Sequence, residues 1–263
     1  MKGFPPVFYI THAASPRADR IRNHARELNI HAREVGAVFV KMETFWPAEY
    51  DRKERLVRLG YDMRPGEIGC FMAHRRAWEA FMTSGMPVCL VLEDDAILPE
   101  STRTSVAEAA KTIIGLPYLI RIYSEPARNW RAWRELPSGG YIGRPVSAGN
   151  TAVAYLVSRE GCQRLLDCSN QIWCPVDDFM NQEREHGCFV FHLEPAGALH
   201  AHGGHSIIGA RTKPPVGWIT RARREIFRAA NSMCNYAHRN YINMKLGIFF
   251  TRSRPSLTTE RSS

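Results

Sequence analysis

The chain has 263 residues, 44% of them hydrophobic, so it can bury a substantial core, and we expect one main domain. A formal net charge of +9 favours a partner that carries phosphate, such as nucleic acid, an anionic membrane or a phosphorylated small molecule, without choosing among them. Seven widely spaced cysteines without a C-x-x-C pair argue against a disulfide framework and a zinc knuckle. No stretch resembles a signal peptide or a membrane span, so we expect a cytoplasmic protein.

The beginning of the chain alternates strand and helix patterns. Residues 7–10 form a short β-branched and aromatic run, which predicts a strand, and a polar loop separates it from a helical pattern over residues 21–30. Residues 37–40 predict a second strand. Strand, loop and helix in this order are typical of the start of an α/β nucleotide-binding unit.

A helix and a buried strand follow. Apolar residues recur at three- and four-residue steps over residues 70–82, which predicts a helix with one buried face. Residues 88–92 are continuously apolar, the pattern of a central parallel strand that is buried on both faces. They run directly into Glu93, Asp94 and Asp95, which we call the acidic triplet.

The remaining elements of the main domain continue the alternation. They are a helix over residues 102–114, a strand over 118–123, a long loop or hairpin over 124–148, a strand over 151–157 and a helix over 159–166. This order predicts the α/β class, with a mixed, mostly parallel sheet flanked by helices on both faces.

The composition changes after residue 214, so we divide the chain into a main domain at 1–214 and a basic amphipathic extension at 215–263. Over residues 218–233 the apolar side chains share one helical face and the arginines fall on another, which is typical of a helix that lies on a membrane surface. Our hypothesis is peripheral attachment to an anionic inner leaflet through residues 216–254. The alternative is a helix packed on the main domain with exposed arginines.

The acidic triplet has two interpretations. Three adjacent carboxylates at the carboxyl end of a buried strand repel one another, so a cation is their natural occupant. Oxygen ligands favour Mg²⁺ or Mn²⁺ over zinc, and ligands bind at this edge of open α/β sheets. The alternative is a solvated helix N-terminus, in which Asp94 or Asp95 serves as a cap.

Four ordered motifs carry a resemblance to a known family. They are Gly66-Glu67-Ile68-Gly69-Cys70-Phe71 with His74, Arg75 and Trp78; Leu90-Val91-Leu92 with the acidic triplet; the segment from Gly149 to Arg159; and Pro175-Val176-Asp177-Asp178. Together they resemble the family 25 glycosyltransferases, which include lipooligosaccharide and collagen galactosyltransferases. The chain departs from the family pattern in its first loop, Thr11-His12-Ala13-Ala14-Ser15-Pro16-Arg17, and at Ala73.

The resemblance implies a GT-A-like catalytic domain that moves a hexose from a UDP-sugar to a lipopolysaccharide, lipooligosaccharide or related glycan. Galactose is the expected sugar because the family members named above are galactosyltransferases. The resemblance also implies Mn²⁺ or Mg²⁺ on the donor diphosphate, with Glu93 and Asp95 as candidate ligands. The candidate donor contacts are Thr11, Arg20, His74, Arg75, Glu93, Asp94, Asn150 and Thr151. For His74 a satisfied core histidine is the alternative.

The family is regarded as inverting, so the resemblance also implies a base that takes the proton of the acceptor hydroxyl. Asp177 and Asp178 are the candidates. The alternative is that they cap a helix, because acidic residues are favoured in a first helical turn. Two adjacent acids exceed what a cap needs, which favours the base.

Three closely spaced histidines lie near the end of the main domain. His202 and His205 are candidate metal ligands, because a late histidine can complete the metal shell in GT-A-like enzymes; a polar surface turn is the alternative. Together with His200 they also resemble the H-x-H-x-D-H ligands of metallo-β-lactamase-like hydrolases, although Gly204 replaces the aspartate. A zinc hydrolase is therefore an alternative function.

Two other classes of protein compete with the transferase. A non-catalytic glycan-binding relative should have lost the acids that this chain retains. A basic, aromatic C-terminus could also bind nucleic acid, but no nucleic-acid motif is present, so we expect no nucleic-acid partner. Trp130 and Trp133 could stack on an acceptor sugar or anchor a loop.

Overall fold

The computed structural model describes residues 4–12, 16–27, 30, 32–40, 46–123, 130–145, 151–200 and 217–248. The strands in this part of the chain are β1 (Val7–Thr11), β2 (Ala32–Gly36), β3 (Val88–Glu93), β4 (Ala96–Ile97), β5 (Tyr118–Arg121), β6 (Trp130–Glu135), β7 (Tyr141–Pro145), β8 (Ala154–Ser158), β9 (Phe189–Glu194) and β10 (Leu199–His200). The helices are α1 (Pro16–Glu27), α2 (Arg52–Leu59), α3 (Pro65–Met82), α4 (Arg103–Thr112), α5 (Arg159–Cys168), α6 (Val176–Met180), α7 (Glu183–His186) and α8 (Trp218–Lys245).

The main sheet has eight strands in the order β2-β1-β3-β8-β5-β9-β7-β6. Strands β2, β1 and β3 are parallel, as are β5 and β9, whereas β8 runs antiparallel to both of its neighbours. The hairpin of β6 and β7 extends the sheet antiparallel to β9, and β4 pairs with β10 in a separate ribbon. The predicted α/β class, with a mixed sheet flanked by helices in a GT-A-like arrangement, is confirmed.

Two hydrophobic cores lie on the two faces of the sheet. One contains Trp78 of α3 and Leu165 of α5, and the other contains Ile21 of α1 and Val106 of α4. Alternate residues of β3 enter the two cores, because successive side chains of a strand point to opposite faces. The continuous apolar run before the acidic triplet is therefore the signature of a strand buried on both faces.

The prediction of a strand over residues 37–40 is wrong. The second strand is β2, an edge strand whose exposed polar residues gave no apolar signal. Val38 and Val40 instead pack, partly buried, against the core on the α3 side. A Cβ added to Gly69 of α3 would lie 2.1 Å from the Val38 carbonyl oxygen, so only glycine permits this close approach.

Other predicted elements are present with shifted ends. Helix α3 begins at Pro65 rather than at residue 70, because proline suits the first helical turn and the Glu67 carboxylate accepts a hydrogen bond from the Arg64 amide. The long segment over 124–148 contains the hairpin of β6 and β7. Trp130 is buried, while Trp133 stacks on Phe191 and donates to the Leu246 carbonyl, so both tryptophans anchor structure.

The predicted C-terminal helix is α8, a 28-residue helix that contacts α2 and α7. Phe227 packs edge-on against Trp173, and Arg223 donates a hydrogen bond to the Leu56 carbonyl. Among the described residues, no helix is both long enough and apolar enough to cross a bilayer. The division of the chain at residue 214 stays a prediction.

Candidate active site

The acidic triplet lies where the central strand β3 ends. Strand β3 pairs with β1 on one side and with β8 on the other, and the Glu93 amide donates a 2.8 Å hydrogen bond to the Val153 carbonyl. The chain then turns at Asp94 and Asp95 into the short strand β4. Because its neighbours are central strands of the sheet, the position of the triplet is fixed by the core.

The carboxylates of the triplet are crowded and only partly exposed. Burial, followed by the charges of Glu93 and Asp94, raises the pKa of Asp95, whereas His200 opposes the rise. The Asp95 Oδ1 atom is buried and has no hydrogen-bond partner among the described residues. A buried carboxylate oxygen without a partner is costly, and oxygen ligands suit a hard divalent cation, so these residues fit Mn²⁺ or Mg²⁺.

Cationic and hydroxyl groups from the first strand and helix reach the acidic triplet. Thr11 Oγ1 lies 3.5 Å from Asp94 Oδ2, and Arg20 donates a 2.8 Å hydrogen bond to the Asp94 carbonyl oxygen. The Arg17 guanidinium lies 3.5 Å from the carboxylate of Asp94 and 3.8 Å from that of Asp95. The structure thus brings the predicted donor contacts Thr11 and Arg20 to the triplet and adds Arg17.

A buried chain of hydrogen bonds holds Glu93. Trp78 Nε1 donates to the Tyr155 hydroxyl at 2.8 Å, and that hydroxyl lies 2.9 Å from His74 Nδ1. His74 Nε2 lies 2.9 Å from Glu93 Oε1. Since the tryptophan can only donate, the tyrosine proton is free for Nδ1, and Nε2–H then donates to the carboxylate. His74 is fully buried with both ring nitrogens bonded, which favours a core histidine that orients Glu93, and its contact with the donor stays a prediction.

Arg75, the other predicted donor contact on α3, is bonded elsewhere. Its guanidinium donates to the Ser169 carbonyl at 2.8 Å and to Asn170, and it pairs with Glu79 one turn along the helix. No hydrogen bond joins it to the acidic triplet within the described part of the chain. Contact between Arg75 and the donor stays a prediction.

Asp177 and Asp178 occupy the first turn of α6, which packs against α3. The Cys70 thiol lies 3.8 Å from Glu93 Oε1, and its pKa is raised by burial and then by the charges of Glu93, Asp177 and Asp95. Burial, followed by the charge of Asp177, raises the pKa of Asp178 to about 6. Helix α6 thus carries both candidate bases against α3, the helix whose Cys70 and His74 side chains contact Glu93.

The backbone carbonyl of Asp177 accepts a hydrogen bond from a buried cation, the guanidinium of Arg121. Arg121 donates to this carbonyl at 3.3 Å and to Asn181 Oδ1 at 2.9 Å. Burial lowers the pKa of Arg121 to about 10, while the charge of Asp177 opposes the change. Arg121 therefore stays charged at neutral pH and stabilises the negative charge on α6. The Asp177 side chain also accepts a hydrogen bond from the adjacent Asp178 amide, but the N-cap position of α6 is Pro175, so neither aspartate caps the helix.

The late histidines are described only in part. His200, in β10, lies with its Nε2 atom 3.1 Å from Asp95 Oδ2, and its ring packs against Tyr123. His202 and His205, the predicted metal ligands, lie outside the described residues, as does Asn150. Thr151 donates a hydrogen bond to the carbonyl of Tyr123, the residue whose ring packs against His200.

Sequence reasoning missed four residues of this site: Arg17, Cys70, Tyr155 and His200 as a partner of Asp95. Cys70 and Tyr155 lie within the family motifs quoted above, and this position in a motif is the sequence feature that could have marked them as site residues. The Arg-x-Asp-Arg sequence at 17–20 contained Arg17 beside the predicted Arg20. Nothing in the sequence paired His200 with a residue 105 positions away.

Comparisons with known proteins identify the family to which the chain is similar. The family model described as glycosyltransferase family 25 (LPS biosynthesis protein) matches residues 5–180. The chain is 28% identical over 201 residues to the "Probable inactive glycosyltransferase 25 family member 3" of Bos taurus, an overlap of 68% of this chain and 31% of the relative. It is 28% identical over 200 residues to the "Inactive glycosyltransferase 25 family member 3" of Homo sapiens, covering 68% and 31%.

The corresponding protein of Rattus norvegicus, also named probable inactive, is 27% identical over 201 residues, covering 68% of this chain and 32% of the relative. The chain thus spans about a third of the length of the curated relatives that it matches. The family match extends from β1 through α6 and includes the acidic triplet and both candidate bases. Because this match covers about two thirds of its residues, the chain belongs to glycosyltransferase family 25.

Proposed function

We propose that the protein is an active, divalent-cation-dependent glycosyltransferase. It would transfer a hexose, galactose by default, from a UDP-sugar to a lipopolysaccharide, lipooligosaccharide or related glycan acceptor, with inversion. The observation that carries the proposal is the buried Asp95 Oδ1 atom, which has no partner in the described part of the chain and lies among two further carboxylates. The family description as an LPS biosynthesis protein supports the acceptor class.

Glu93 and Asp95 would hold the Mn²⁺ or Mg²⁺ ion, with His202 and His205 as further candidate ligands. When bound, the ion supplies Lewis-acid stabilisation of the charge that develops on the departing diphosphate. The hydrogen bond from His74 keeps Glu93 in one orientation, and His200 does the same for Asp95.

The basic residues beside the triplet support an anionic donor. Arg17 and Arg20 place two guanidinium groups next to Asp94, and such groups bind phosphate oxygens through paired hydrogen bonds. The carboxylates of Asp94 and Asp95 position Arg17, and the backbone carbonyl of Asp94 positions Arg20, before the donor arrives. Thr11 offers a hydroxyl on the same side.

The acceptor proton would be taken by Asp177 or Asp178. A general base works best when its pKa is somewhat below the working pH, and the pKa of Asp178 is about 6. Asp178 is therefore ionised at neutral pH yet has a higher proton affinity than an ordinary aspartate.

A second candidate function is a binding protein without transferase activity. It is favoured by one observation, that the relatives named above are called inactive or probable inactive. Those names describe proteins about three times as long, and this chain retains a complete set of candidate acids. The zinc hydrolase is a weaker alternative, because the chain belongs to a glycosyltransferase family; tightly bound zinc together with hydrolase activity would revive it.

The test is a screen of UDP-sugars with and without Mn²⁺, read by thermal shift and by donor hydrolysis. We expect one donor to raise the melting temperature and to be hydrolysed only with the metal. Asp95→Asn should abolish both responses, whereas the exposed Asp167→Asn should keep them. Metal-dependent donor binding without any turnover, with or without acceptor glycans, would support the inactive binding protein, and the absence of any donor response would contradict both.

The base assignment has its own test. Asp177→Asn and Asp178→Asn should leave donor binding unchanged, and the substitution at the true base should lower turnover by about 100-fold or more. If both variants kept wild-type turnover, neither aspartate would be the base.

A further inference from the structure

Within the described part of the chain, helix α8 is attached to the main domain through one face. Phe227 packs on Trp173, and the Arg58 guanidinium lies over the Phe227 ring. Near the other end, Ile242 and Asn243 are buried. Phe227 and Ile242 lie about 60° apart around the helix, and so on one side of it, since a helix advances 100° per residue. The opposite side therefore faces away from the other described elements.

That opposite side is apolar. We define the apolar stripe as the exposed residues Trp218, Ile219, Ile226, Met233, Tyr236 and Met244. Each of these side chains is more than half exposed; Ile226 is 70% and Met233 is 72% exposed. At 100° per residue they lie within about a third of the helix circumference, along a helix about 42 Å long. Single exposed apolar residues are common, but an aligned set marks an interaction surface.

Positive charge flanks the apolar stripe on both sides. Helix α8 contains six basic residues and one acidic residue, Glu225. Arg221 and Arg228 are exposed on one flank, and Arg223, which also donates to the Leu56 carbonyl, is exposed on the other. An apolar face between two cationic borders matches a lipid surface whose acyl region lies beneath anionic head groups.

We propose that the apolar stripe of α8 lies in the surface of an anionic lipid bilayer and holds the protein there. A second copy of the chain is the less suitable occupant, because pairing two such faces would bring their cationic borders together. Nucleic acid would satisfy the arginines but would leave the apolar stripe in water. This function goes beyond sugar transfer and does not depend on it.

The first experiment is co-sedimentation of the full chain with vesicles of equal parts phosphatidylglycerol and phosphatidylcholine, and with phosphatidylcholine alone. We expect binding to the anionic vesicles and much weaker binding to the neutral ones. The double substitution Ile226→Ser/Met233→Ser should weaken binding to anionic vesicles at least about tenfold. Ile114→Ser/Met86→Ser is the matched control, because Ile114 and Met86 are exposed elsewhere, at 87% and 44%, and it should bind like the wild type.

The charge is tested separately. Arg221→Gln/Arg228→Gln should weaken binding to anionic vesicles roughly 10- to 30-fold, since each basic residue near such a surface contributes about fivefold. Arg33→Gln/Arg76→Gln removes the same charge from exposed positions outside α8 and should have little effect. Equal losses in both pairs would mean that net charge alone drives binding and would overturn the proposal.

Two further measurements keep the proposal falsifiable. Brominated lipids should quench tryptophan fluorescence in the wild type but much less in Trp218→Phe, and circular dichroism should show that every variant is folded. Absence of binding to anionic vesicles would overturn the proposal, as would wild-type binding by Ile226→Ser/Met233→Ser. Sedimentation equilibrium measures whether the protein forms a dimer. A dimer that Ile226→Ser/Met233→Ser dissociates would assign the apolar stripe to a second copy of the chain and would also overturn the proposal.

Discussion

His200 Nε2 lies 3.1 Å from Asp95 Oδ2, although 105 positions separate the two residues in the chain. The antiparallel ribbon of β4 and β10 produces this contact, because it aligns His200 with Ala96, the residue after Asp95. The histidine is the hydrogen-bonding partner of one Asp95 oxygen, and the other oxygen is buried without a partner in the described part of the chain. Asp95 is thus oriented for a ligand on its free oxygen.

His200→Ala should therefore weaken Mn²⁺ binding, because Asp95 would lose the group that fixes its orientation and lowers its pKa. Loss of such a supporting partner typically costs about 10- to 100-fold in metal affinity. Isothermal titration calorimetry at constant pH measures the change. His238→Ala, in α8, is the control and should bind Mn²⁺ like the wild type. Unchanged affinity in His200→Ala would mean that Asp95 is held by other contacts.

Tyr155→Phe should disturb both stability and the metal site. It leaves Trp78 Nε1 and His74 Nδ1 without their shared partner in the core, at a cost of about 1–3 kcal/mol. Since His74 then no longer fixes Glu93, Mn²⁺ affinity should fall as well. Urea unfolding and calorimetry measure the two effects.

Tyr118→Phe is the matched control for this substitution. Tyr118 is also buried, but its hydroxyl makes one hydrogen bond, of 3.3 Å, to the Ala110 carbonyl on the other side of the sheet. It should lose less stability and keep its Mn²⁺ affinity. Equal effects of the two substitutions would contradict a specific role for the Tyr155 hydroxyl.

Asp178 should make stability depend on pH. Its pKa rises from 3.8 to about 6 on folding, so the folded state binds the proton more tightly, and stability falls as the pH rises through this range. Asp178→Asn removes this penalty. Without bound ligand it should be more stable than the wild type by up to about 3 kcal/mol near neutral pH, and the difference should vanish below about pH 4.

Urea unfolding at a series of pH values checks this prediction. The exposed Asp167→Asn, compared in the same way, should show no such gain. If Asp178→Asn were equally or less stable than the wild type at neutral pH, the carboxylate of Asp178 would be stabilised in the folded state, and its role as a base of raised pKa would be wrong.

Gly69→Ala should destabilise the fold by about 1–3 kcal/mol, because its Cβ would overlap the Val38 carbonyl oxygen, and either α3 or residues 37–40 must move. Gly36→Ala, in β2, is the control: its Cβ would meet nothing within 4 Å, so its effect should stay within about 0.5 kcal/mol. Chemical denaturation compares the two. If the two variants were equally stable, residues 37–40 would move away from the new Cβ without lowering the free energy of unfolding.

Local patterns predicted much of the fold. The continuous apolar run before the acidic triplet indicated a strand buried on both faces, and the three- and four-residue spacing in α3 indicated its buried side, because these signals arise from burial itself. Edge strand β2 and the packing of residues 37–40 were not predictable in this way. Edge strands are polar, and Val38 and Val40 are apolar because they cover α3 rather than because they pair in a sheet.

The sequence by itself therefore determined the family, the α/β class, the strand that ends in the acidic triplet and the amphipathic nature of the C-terminal helix. These properties follow from the spacing of residues that are close in the chain and from short motifs. Only the tertiary structure decided that His74 supports Glu93, that His200 meets Asp95, and that α8 turns its apolar stripe away from the domain. Such contacts join residues far apart in the chain, and they are set by strand pairing and by which helix face the core can bury.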